Sequence, residues 1–263
     1  MERAYWLRQE PAKPLFPELE WSRPQNRLQA GKLLIVGGNL HGFAAPGEAY
    51  AAATKAGVGV AHVLLPSALQ KVVGRVLEQG AFAPSTPSGS FSQKALDELL
   101  ASAAWADAVL VAGDLGRNSE TAVLLEKFLA KYLGAVTLTK DAIDYAVSAP
   151  HNVLQRPQTL LVLSLSQLQR LGVAAKTSTA VTFSMDLLRL VEWLHEFTLQ
   201  HQPHIIVKHL DTLFVAANGQ VSTTKLQPEQ PLWRVATAAR ASVWWLQNSE
   251  KPFEALSTSL LST

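Results

Sequence analysis

Short apolar segments that alternate with helix-forming segments constrain the fold of this chain most strongly. Apolar runs with β-branched residues, each about the length of one strand, occur at residues 32–36, 58–65, 107–112, 135–139, 159–163 and 204–208. Between them lie stretches that are alanine-rich or have apolar residues at helical spacing, among them 44–55, 69–79, 93–104 and 119–131. This alternation predicts an α/β fold with a mostly parallel central sheet and helices on both faces.

Both ends of the chain differ from this pattern. Residues 1–31 carry four prolines among charged residues, which predicts an irregular N-terminal lead-in before a single domain over 32–263. An Asn218-Gly219 pair between two apolar runs predicts an antiparallel hairpin, with strands at 212–216 and 220–224. Two further helices are expected at 232–247 and 252–262.

The composition excludes several classes of protein. Of the 263 residues, 48% are hydrophobic and 17% charged, which is typical of a folded domain with a sizeable core. The absence of cysteine excludes disulfides, thiolate nucleophiles and cysteine-bound zinc, and predicts a cytoplasmic location. A formal net charge of +2 argues against a nucleic-acid partner. We also expect no signal peptide, because residues 1–10 carry four charged side chains and no apolar segment. We expect no membrane partner, because charge or proline breaks the apolar runs within about 18 residues.

The first glycine-rich turn is a candidate ligand site. In parallel sheets, ligands bind outside the carboxyl ends of the strands, and residues 37–43 follow the first predicted strand. Gly37, Gly38 and Gly42 would let backbone amides approach an anion. Turn geometry alone also explains glycine after a strand, so the spacing leaves both interpretations open.

Two further turns carry charged residues at the same predicted edge. The turn at 113–117 could bring the carboxylate of Asp114 and the guanidinium of Arg117 together, although a solvated pair is an equal alternative. Asp141 follows another predicted strand and could either take part in chemistry or cap a helix.

Histidines 195, 201, 204 and 209 lie close together in sequence, but none of them is paired at the i, i+4 spacing that places two ligands on one helix face. We therefore predict surface histidines and no metal site. Tryptophans 193, 233, 244 and 245 enrich the C-terminal helices, where either core packing or an oligomer interface would use them.

Two stretches carry a resemblance to a known family. Residues 37–66, GGNLHGFAAPGEAYAAATKAGVGVAHVLLP, contain a glycine-rich turn, an Ala-Pro element, an alanine-rich helix and a Gly-x-Gly. Residues 106–121, ADAVLVAGDLGRNSET, form a strand that leads into a glycine turn and a helix. In this order and at nearly this spacing, both stretches resemble the signatures of the ADP/ATP-dependent NAD(P)H-hydrate dehydratases, which have a ribokinase-like fold.

The resemblance implies a ribokinase-like domain over 32–263 and a role in metabolite repair. Such an enzyme uses ADP or ATP with Mg²⁺ to remove water from hydrated NAD(P)H, so its partners are small-molecule ligands. The hydroxyl is phosphorylated, and phosphate is then eliminated. The resemblance also implies which residues bind the substrate, namely Gly37, Gly38, Asn39, Gly42, Ala45, Pro46, Asp114 and Gly116. Family members are often homo-oligomers, which leaves a homo-oligomer open for this chain.

The second half of the chain departs from the family pattern at the motifs that carry the family's catalytic residues. Of the two aspartates in the Asp-Ala-Asp-Ala-Leu motif only Asp141 is present, and it is the candidate catalytic residue. The Thr-Pro-His-Pro-Gly-Glu loop aligns with 162–167, which lacks its histidine and glutamate. The Leu-Lys-Gly strand end keeps Lys208, and the Gly-Thr-Gly-Asp turn aligns with Trp-Arg-Val-Ala at 233–236. Lys208 and Arg234 are therefore the candidate nucleotide-binding residues.

The missing turn matters because, in the family, its amides hold the transferring phosphoryl group and its aspartate takes the proton from the hydroxyl. Ala236 cannot accept a proton. Two functions therefore stay open. The chain is either an NAD(P)H-hydrate dehydratase in which Asp141 or another carboxylate is the base, or an inactive relative that keeps the fold for ligand binding or for a structural or regulatory role.

Overall fold

The computed structural model describes residues 3–10, 12–74, 80–226 and 233–261. Within these ranges ten strands form a single sheet. Their bounds are β1 Trp6–Gln9, β2 Lys32–Gly37, β3 Val60–Pro66, β4 Gly80–Ala83, β5 Ala108–Gly113, β6 Ala135–Thr139, β7 Thr159–Ser164, β8 His204–His209, β9 Thr212–Ala217 and β10 Gln220–Lys225.

Eleven α-helices lie in the same ranges. Their bounds are α1 Pro17–Trp21, α2 Ala44–Lys55, α3 Gln70–Val73, α4 Leu96–Trp105, α5 Ser119–Lys131, α6 Asp141–Ser148, α7 His151–Leu154, α8 Leu165–Ala174, α9 Leu187–Gln200, α10 Val235–Gln247 and α11 Pro252–Ser259. Short 3₁₀ turns precede α3 and α4.

The sheet order is β1-β10-β9-β8-β7-β6-β5-β2-β3-β4. All neighbouring strands are parallel except β9, which is antiparallel to both β8 and β10. The mostly parallel α/β sheet predicted from the alternating pattern is thereby confirmed. The hairpin of β9 and β10 also forms around Asn218-Gly219, both of which adopt positive φ as such a turn requires.

Each face of the sheet has its own core, which explains why the strands are continuously apolar. In β2, Leu34 and Val36 pack into the core on one face, whereas Leu33 and Ile35 pack into the core on the other. All four side chains are at most 2% exposed. Parallel strands covered by helices on both faces need apolar residues at every position.

The alanine-rich sequence of α2 suits its place against the sheet and α10. Ala45, Ala49 and Ala53, one turn apart, are fully buried on one face of this helix. The helix packs against α10, which also carries buried alanines. Small side chains let the two helices approach each other closely, so this packing fixes the start of α10 relative to the turn before α2.

The predicted irregular lead-in is wrong in part, because residues 6–9 form a strand. β1 pairs in parallel with β10 at the edge of the sheet, and the side-chain amide of buried Gln9 donates to the carbonyl of Ser257 at 2.7 Å. The segment also contains the short helix α1. Because β1 is only four residues long and its partner is more than 200 residues away, local patterning does not reveal it.

Other elements also differ from the sequence-based expectations or cannot be compared with them. β4 was not predicted, since it is a short strand with a small-residue sequence at the opposite edge of the sheet. The helix expected over 69–79 is α3, which ends at Val73, and 75–79 lie outside the described residues. The predicted start of the next-to-last helix at 232, and the end of the last at 262, also lie outside them.

In the part of the chain that is described, no helix combines the length and apolarity needed to cross a bilayer.

Candidate functional site

The two glycine-rich turns of the sequence meet at the carboxyl edge of the sheet, because β2 and β5 are neighbouring strands. The amide of Gly38 donates to the carbonyl of Gly113 at 3.0 Å. A Cβ on Gly37 would lie 2.5 Å from that same carbonyl oxygen and 3.0 Å from Cγ of Pro46. Gly37 is therefore required by the close approach of the two turns and by the packing of Pro46 upon it.

Asn39 ties the first turn to the second. Its Nδ2 donates to the carbonyl of Asp114 at 2.6 Å, and its backbone amide and carbonyl exchange hydrogen bonds with those of Gly42. Gly116 has a φ of +77°, and a Cβ there would lie 2.7 Å from Oγ of Ser90. The structure therefore brings all of these predicted substrate-binding residues into one compact group.

Asp114 fills the space at the start of α2. Its Oδ2 accepts a hydrogen bond from the amide of Ala45 at 2.8 Å, and its Oδ1 lies 2.5 Å from Nζ of Lys140. Both charged residues adopt left-handed backbone conformations, with φ values of 56° and 52°. The partner of Asp114 is thus Lys140 and not Arg117, with which sequence analysis paired it. The sequence did offer one signal for this pairing, namely a lysine directly after the predicted strand 135–139.

The carboxylate of Asp141 lies under the second turn. Its Oδ2 accepts hydrogen bonds from the amides of Leu115 at 2.8 Å and Gly116 at 3.2 Å. Its other oxygen, Oδ1, is buried and has no partner among the described residues. Burial raises the pKa of this carboxyl, and the charge of Asp114 raises it further, while the turn amides lower it. Asp141 is the first residue of α6 and does not cap it.

Tyr145 adds a hydroxyl that sequence analysis missed. It lies one turn after Asp141 in α6, and its hydroxyl contacts the carbonyl of Gly116 and accepts from the amide of Asn118 at 3.0 Å. Burial raises the pKa of this phenol. Beside it lies an open cavity of about 430 Å³ whose lining includes Asp141 and Asp144.

Gln167 connects the carboxyl ends of β6 and β7, in the middle of the sheet edge, to the start of α10. Its Nε2 donates to the carbonyl of Lys140 at 2.7 Å and to Oδ1 of Asp144 at 2.8 Å. Its Oε1 accepts from Nη2 of Arg234 at 2.7 Å, and the whole side chain is only 4% exposed. Gln167 also forms a capping box with Ser164, which fixes the start of α8. The aligned family loop gave no signal for this role.

Arg234 directly precedes α10 with a φ of 74°, a conformation that favours glycine. Burial lowers the pKa of its guanidinium, and the nearby carboxylates of Asp144 and Asp141 raise it. Its buried Nε has no hydrogen-bond partner in the described part of the chain. Ala236, in the first turn of α10, leaves this position without a carboxylate. The start of the helix therefore offers backbone amides and one cation.

Lys208 lies apart from the glycine turns, at the end of β8. It is in register with Ser164 of β7, the residue that caps the helix carrying Gln167. Lys208 therefore lies one strand further along the edge than Gln167. It lines a cavity of about 1150 Å³ that extends from β8 past the ends of β9 and β10 to β1. Lys208 thus lies on the side of the edge away from the predicted substrate turns, whereas Arg234 lies near the middle of the edge, bonded to Gln167.

Within the described ranges, no group of three or more histidine, aspartate or glutamate side chains is arranged to hold a metal ion. His204 and His209 are buried, at 7% and 8% exposure, which corrects the expectation of surface histidines at these two positions. The ring of His209 bonds to the carbonyl of Met185 at 2.9 Å. Trp193, Trp244 and Trp245 are buried in the core.

The order of strands and helices defines a ribokinase-like α/β fold. A ribokinase-like protein from Enterococcus faecalis superposes with a TM-score of 0.73 at 14% identity, covering 100% of this chain and 88% of that one. The ADP/ATP-dependent NAD(P)H-hydrate dehydratase of Bacillus subtilis, co-crystallised with ATP and Mg²⁺, gives 0.60 at 15% identity over 94% and 86%. The ribokinase-like fold expected from the sequence is confirmed.

The sequence comparisons support the more particular resemblance. The bifunctional NAD(P)H-hydrate repair enzyme Nnr of Moorella thermoacetica is 27% identical over 195 residues, which are 73% of this chain and 35% of that protein. Nnr of Methanocaldococcus jannaschii is 34% identical over 115 residues, 44% of this chain and 23% of that protein. The matches thus span about a third and about a quarter of these relatives. No protein-family model matches the chain. The resemblance to NAD(P)H-hydrate dehydratases is confirmed.

Proposed function

We propose that this chain uses ADP or ATP to remove water from hydrated NAD(P)H. The single observation that carries the proposal is the arrangement along the carboxyl edge of the sheet. The predicted substrate turns lie at β2 and β5, Lys208 lies at the end of β8, and Arg234 lies between them, where Gln167 bonds it to the ends of β6 and β7. A reaction between two substrates needs them side by side in this way.

In the proposed reaction the nucleotide lies in the cavity next to Lys208 and directs its terminal phosphate toward Arg234. Arg234 and the first amides of α10 stabilise the charge that develops on the transferring phosphoryl group. Magnesium bound with the nucleotide would neutralise part of the phosphate charge. Since the metal would be held mainly by phosphate oxygens, it needs no cluster of protein carboxylates.

Asp141 is the proposed base. A buried carboxylate with a raised pKa and one oxygen free of partners suits proton abstraction near neutral pH. It would take the proton as the substrate hydroxyl attacks the terminal phosphorus and ADP or AMP departs. Elimination of inorganic phosphate, with loss of a proton from the adjacent carbon, then restores the double bond of the dihydronicotinamide.

The alternative is an inactive relative that keeps the fold for ligand binding or for a structural or regulatory role. One observation favours it, namely that Ala236 stands in the first turn of α10, where the aligned family turn has its aspartate. The two functions differ in turnover and not in fold. The cytoplasmic location and the homo-oligomeric state stay predictions for both.

Thermal unfolding with and without millimolar ADP or ATP and magnesium tests the binding step. A ligand that binds only the folded chain raises the midpoint, and at a hundred times Kd it adds about 2.7 kcal/mol. We expect a saturable rise that Lys208→Ala weakens and that Lys131→Ala, an exposed lysine at the end of α5, leaves intact. The absence of any rise with either nucleotide would contradict the proposed function.

Turnover is measured next, as the return of dihydronicotinamide absorbance from hydrated NADH in the presence of the nucleotide that binds. We expect recovery that depends on both the nucleotide and the chain. If a nucleotide binds but no dihydronicotinamide appears, the inactive alternative is the correct function.

A further inference from the structure

The large cavity beside Lys208 is bounded at its far side by β1, one of the two strands that sequence analysis did not predict. Trp6 and Arg8, two residues apart on β1, both line it, together with Thr223 of β10. Since residues two apart on a strand point to the same face, the two side chains lie next to each other. This wall is separate from every residue assigned above to nucleotide or substrate.

The two side chains form a layered pair. The guanidinium carbon of Arg8 lies 4.3 Å from the centre of the Trp6 ring. Trp6 is held in place because its ring packs against the core and its Nε1 donates to Oγ1 of Thr223 at 3.1 Å. Arg8 itself is exposed. One face of the planar guanidinium therefore rests on a fixed indole, and its other face is available in the cavity.

The charges around the cavity indicate what could lie there. Lys225 and Asp211 face each other at 3.4 Å and offset one another. Among the described residues, the other charged groups that line the cavity are Arg8, Lys208 and Glu10. The cations lie at the two ends, because Arg8 is on β1 and Lys208 is on β8, three strand spacings or roughly 14 Å apart. An elongated anion with an aromatic end fits this layout.

We propose that the Arg8–Trp6 pair is the base-recognition platform of the nucleotide site, on which a purine ring stacks while the phosphates extend past Lys208. This inference rests on the proposed function, since it assumes that an adenine nucleotide enters the cavity. Arginine is suited to the role because its planar group stacks on aromatic rings on both sides, whereas lysine offers only a point charge. Selection for a purine over a bare polyphosphate would then come from β1.

Titration calorimetry with ATP and with inorganic tripolyphosphate separates base from phosphate recognition. The key variant is Arg8→Lys, which keeps the charge and removes the stacking plane. We expect it to weaken ATP binding about tenfold, the scale of losing one stacked base, while tripolyphosphate binds as in the wild type. Trp6→Phe keeps an aromatic support and should lose less than Arg8→Lys. Trp21→Ala, a tryptophan that is 87% exposed, is the matched control and should change neither affinity.

Each other result has a definite meaning. If ATP binds to Arg8→Lys as tightly as to the wild type, the platform is wrong and the proposed function stands. If Arg8→Lys loses ATP and tripolyphosphate equally, Arg8 contacts phosphates and the base assignment is wrong. If the wild-type chain binds no ATP, both this inference and the proposed function are overturned.

Discussion

The side chains of Arg234 and Gln167 are joined by a hydrogen bond of 2.7 Å across 67 residues of sequence. Through it the start of α10 is fixed to the start of α8, and through the other contacts of Gln167 to the end of β6 as well. The cation at α10 is therefore oriented by a buried neutral amide and not by a carboxylate. Because this hydrogen-bonded partner is neutral and the carboxylates of Asp144 and Asp141 act on the guanidinium only from nearby, positive charge at Arg234 stays available to a phosphate.

Replacing Gln167 tests this connection. Gln167→Ala removes hydrogen bonds to Lys140, Asp144 and Arg234 inside a nearly buried site, so we expect a loss of about 2 kcal/mol in the free energy of unfolding, measured with urea. ADP or ATP binding should weaken too, because Arg234 loses its orientation. Gln202→Ala, at an exposed glutamine, is the control and should change neither quantity.

Asp141 can be tested without breaking the turn that it supports. In Asp141→Asn the side-chain oxygen can still accept from the amides of Leu115 and Gly116, so the chain should fold nearly as stably. Turnover of hydrated NADH should fall at least about a hundredfold, since an amide cannot take a proton. In the wild type, turnover should fall as the pH decreases through the raised pKa of Asp141, because only the ionised carboxylate is a base. Unchanged turnover in Asp141→Asn would show that another group is the base.

Restoring a carboxylate at α10 should not by itself raise activity. Ala236→Asp places an acid in the first turn of the helix, but the glycine backbone of the family turn is still replaced by Trp233, Arg234 and Val235. We expect dehydration rates equal to or below those of the wild type. A gain in rate from this single substitution would contradict our account of the site.

His204 makes the stability depend on pH. It is 7% exposed and packs edge-on against Trp245, and burial lowers its pKa from the ordinary value of 6.5 to about 4. Between these values the unfolded chain binds a proton that the folded chain does not. Stability should therefore be complete above about pH 6.5 and decline toward pH 4, by about 3 kcal/mol at most. Urea unfolding across this range should show a smaller decline in His204→Leu than in the wild type.

Alanine should have opposite effects at two glycines, because Gly37 lies in the contact between the two turns and Gly47 lies at an open position of α2. Gly37→Ala would place a Cβ 2.5 Å from the carbonyl oxygen of Gly113, so we expect a loss of about 2 kcal/mol in the free energy of unfolding. Gly47→Ala, in α2, meets nothing within 4 Å and should stabilise the chain by about 0.5 to 1 kcal/mol through helix propensity. Equal effects of the two substitutions on urea unfolding would show that the turns do not touch as described.

The sequence by itself determined the parts of this protein that depend on local periodicity. Continuous apolar runs predicted the buried parallel strands, and the glycines at 37–38 and 113–116 predicted where the turns at the carboxyl edge lie. Asn218-Gly219 predicted the hairpin in the same way. These features can be predicted from the sequence because each depends on residues within a few positions of one another.

Only the tertiary structure decided which side chains meet at the site. The pairing of Asp114 with Lys140, the bond from Gln167 to Arg234 and the insertion of β1 beside β10 join residues that lie far apart in the chain. Such contacts follow from the order of the strands and the packing of the helices on them. No local pattern encodes that order, so the chemistry of the edge becomes visible only when the sheet is assembled.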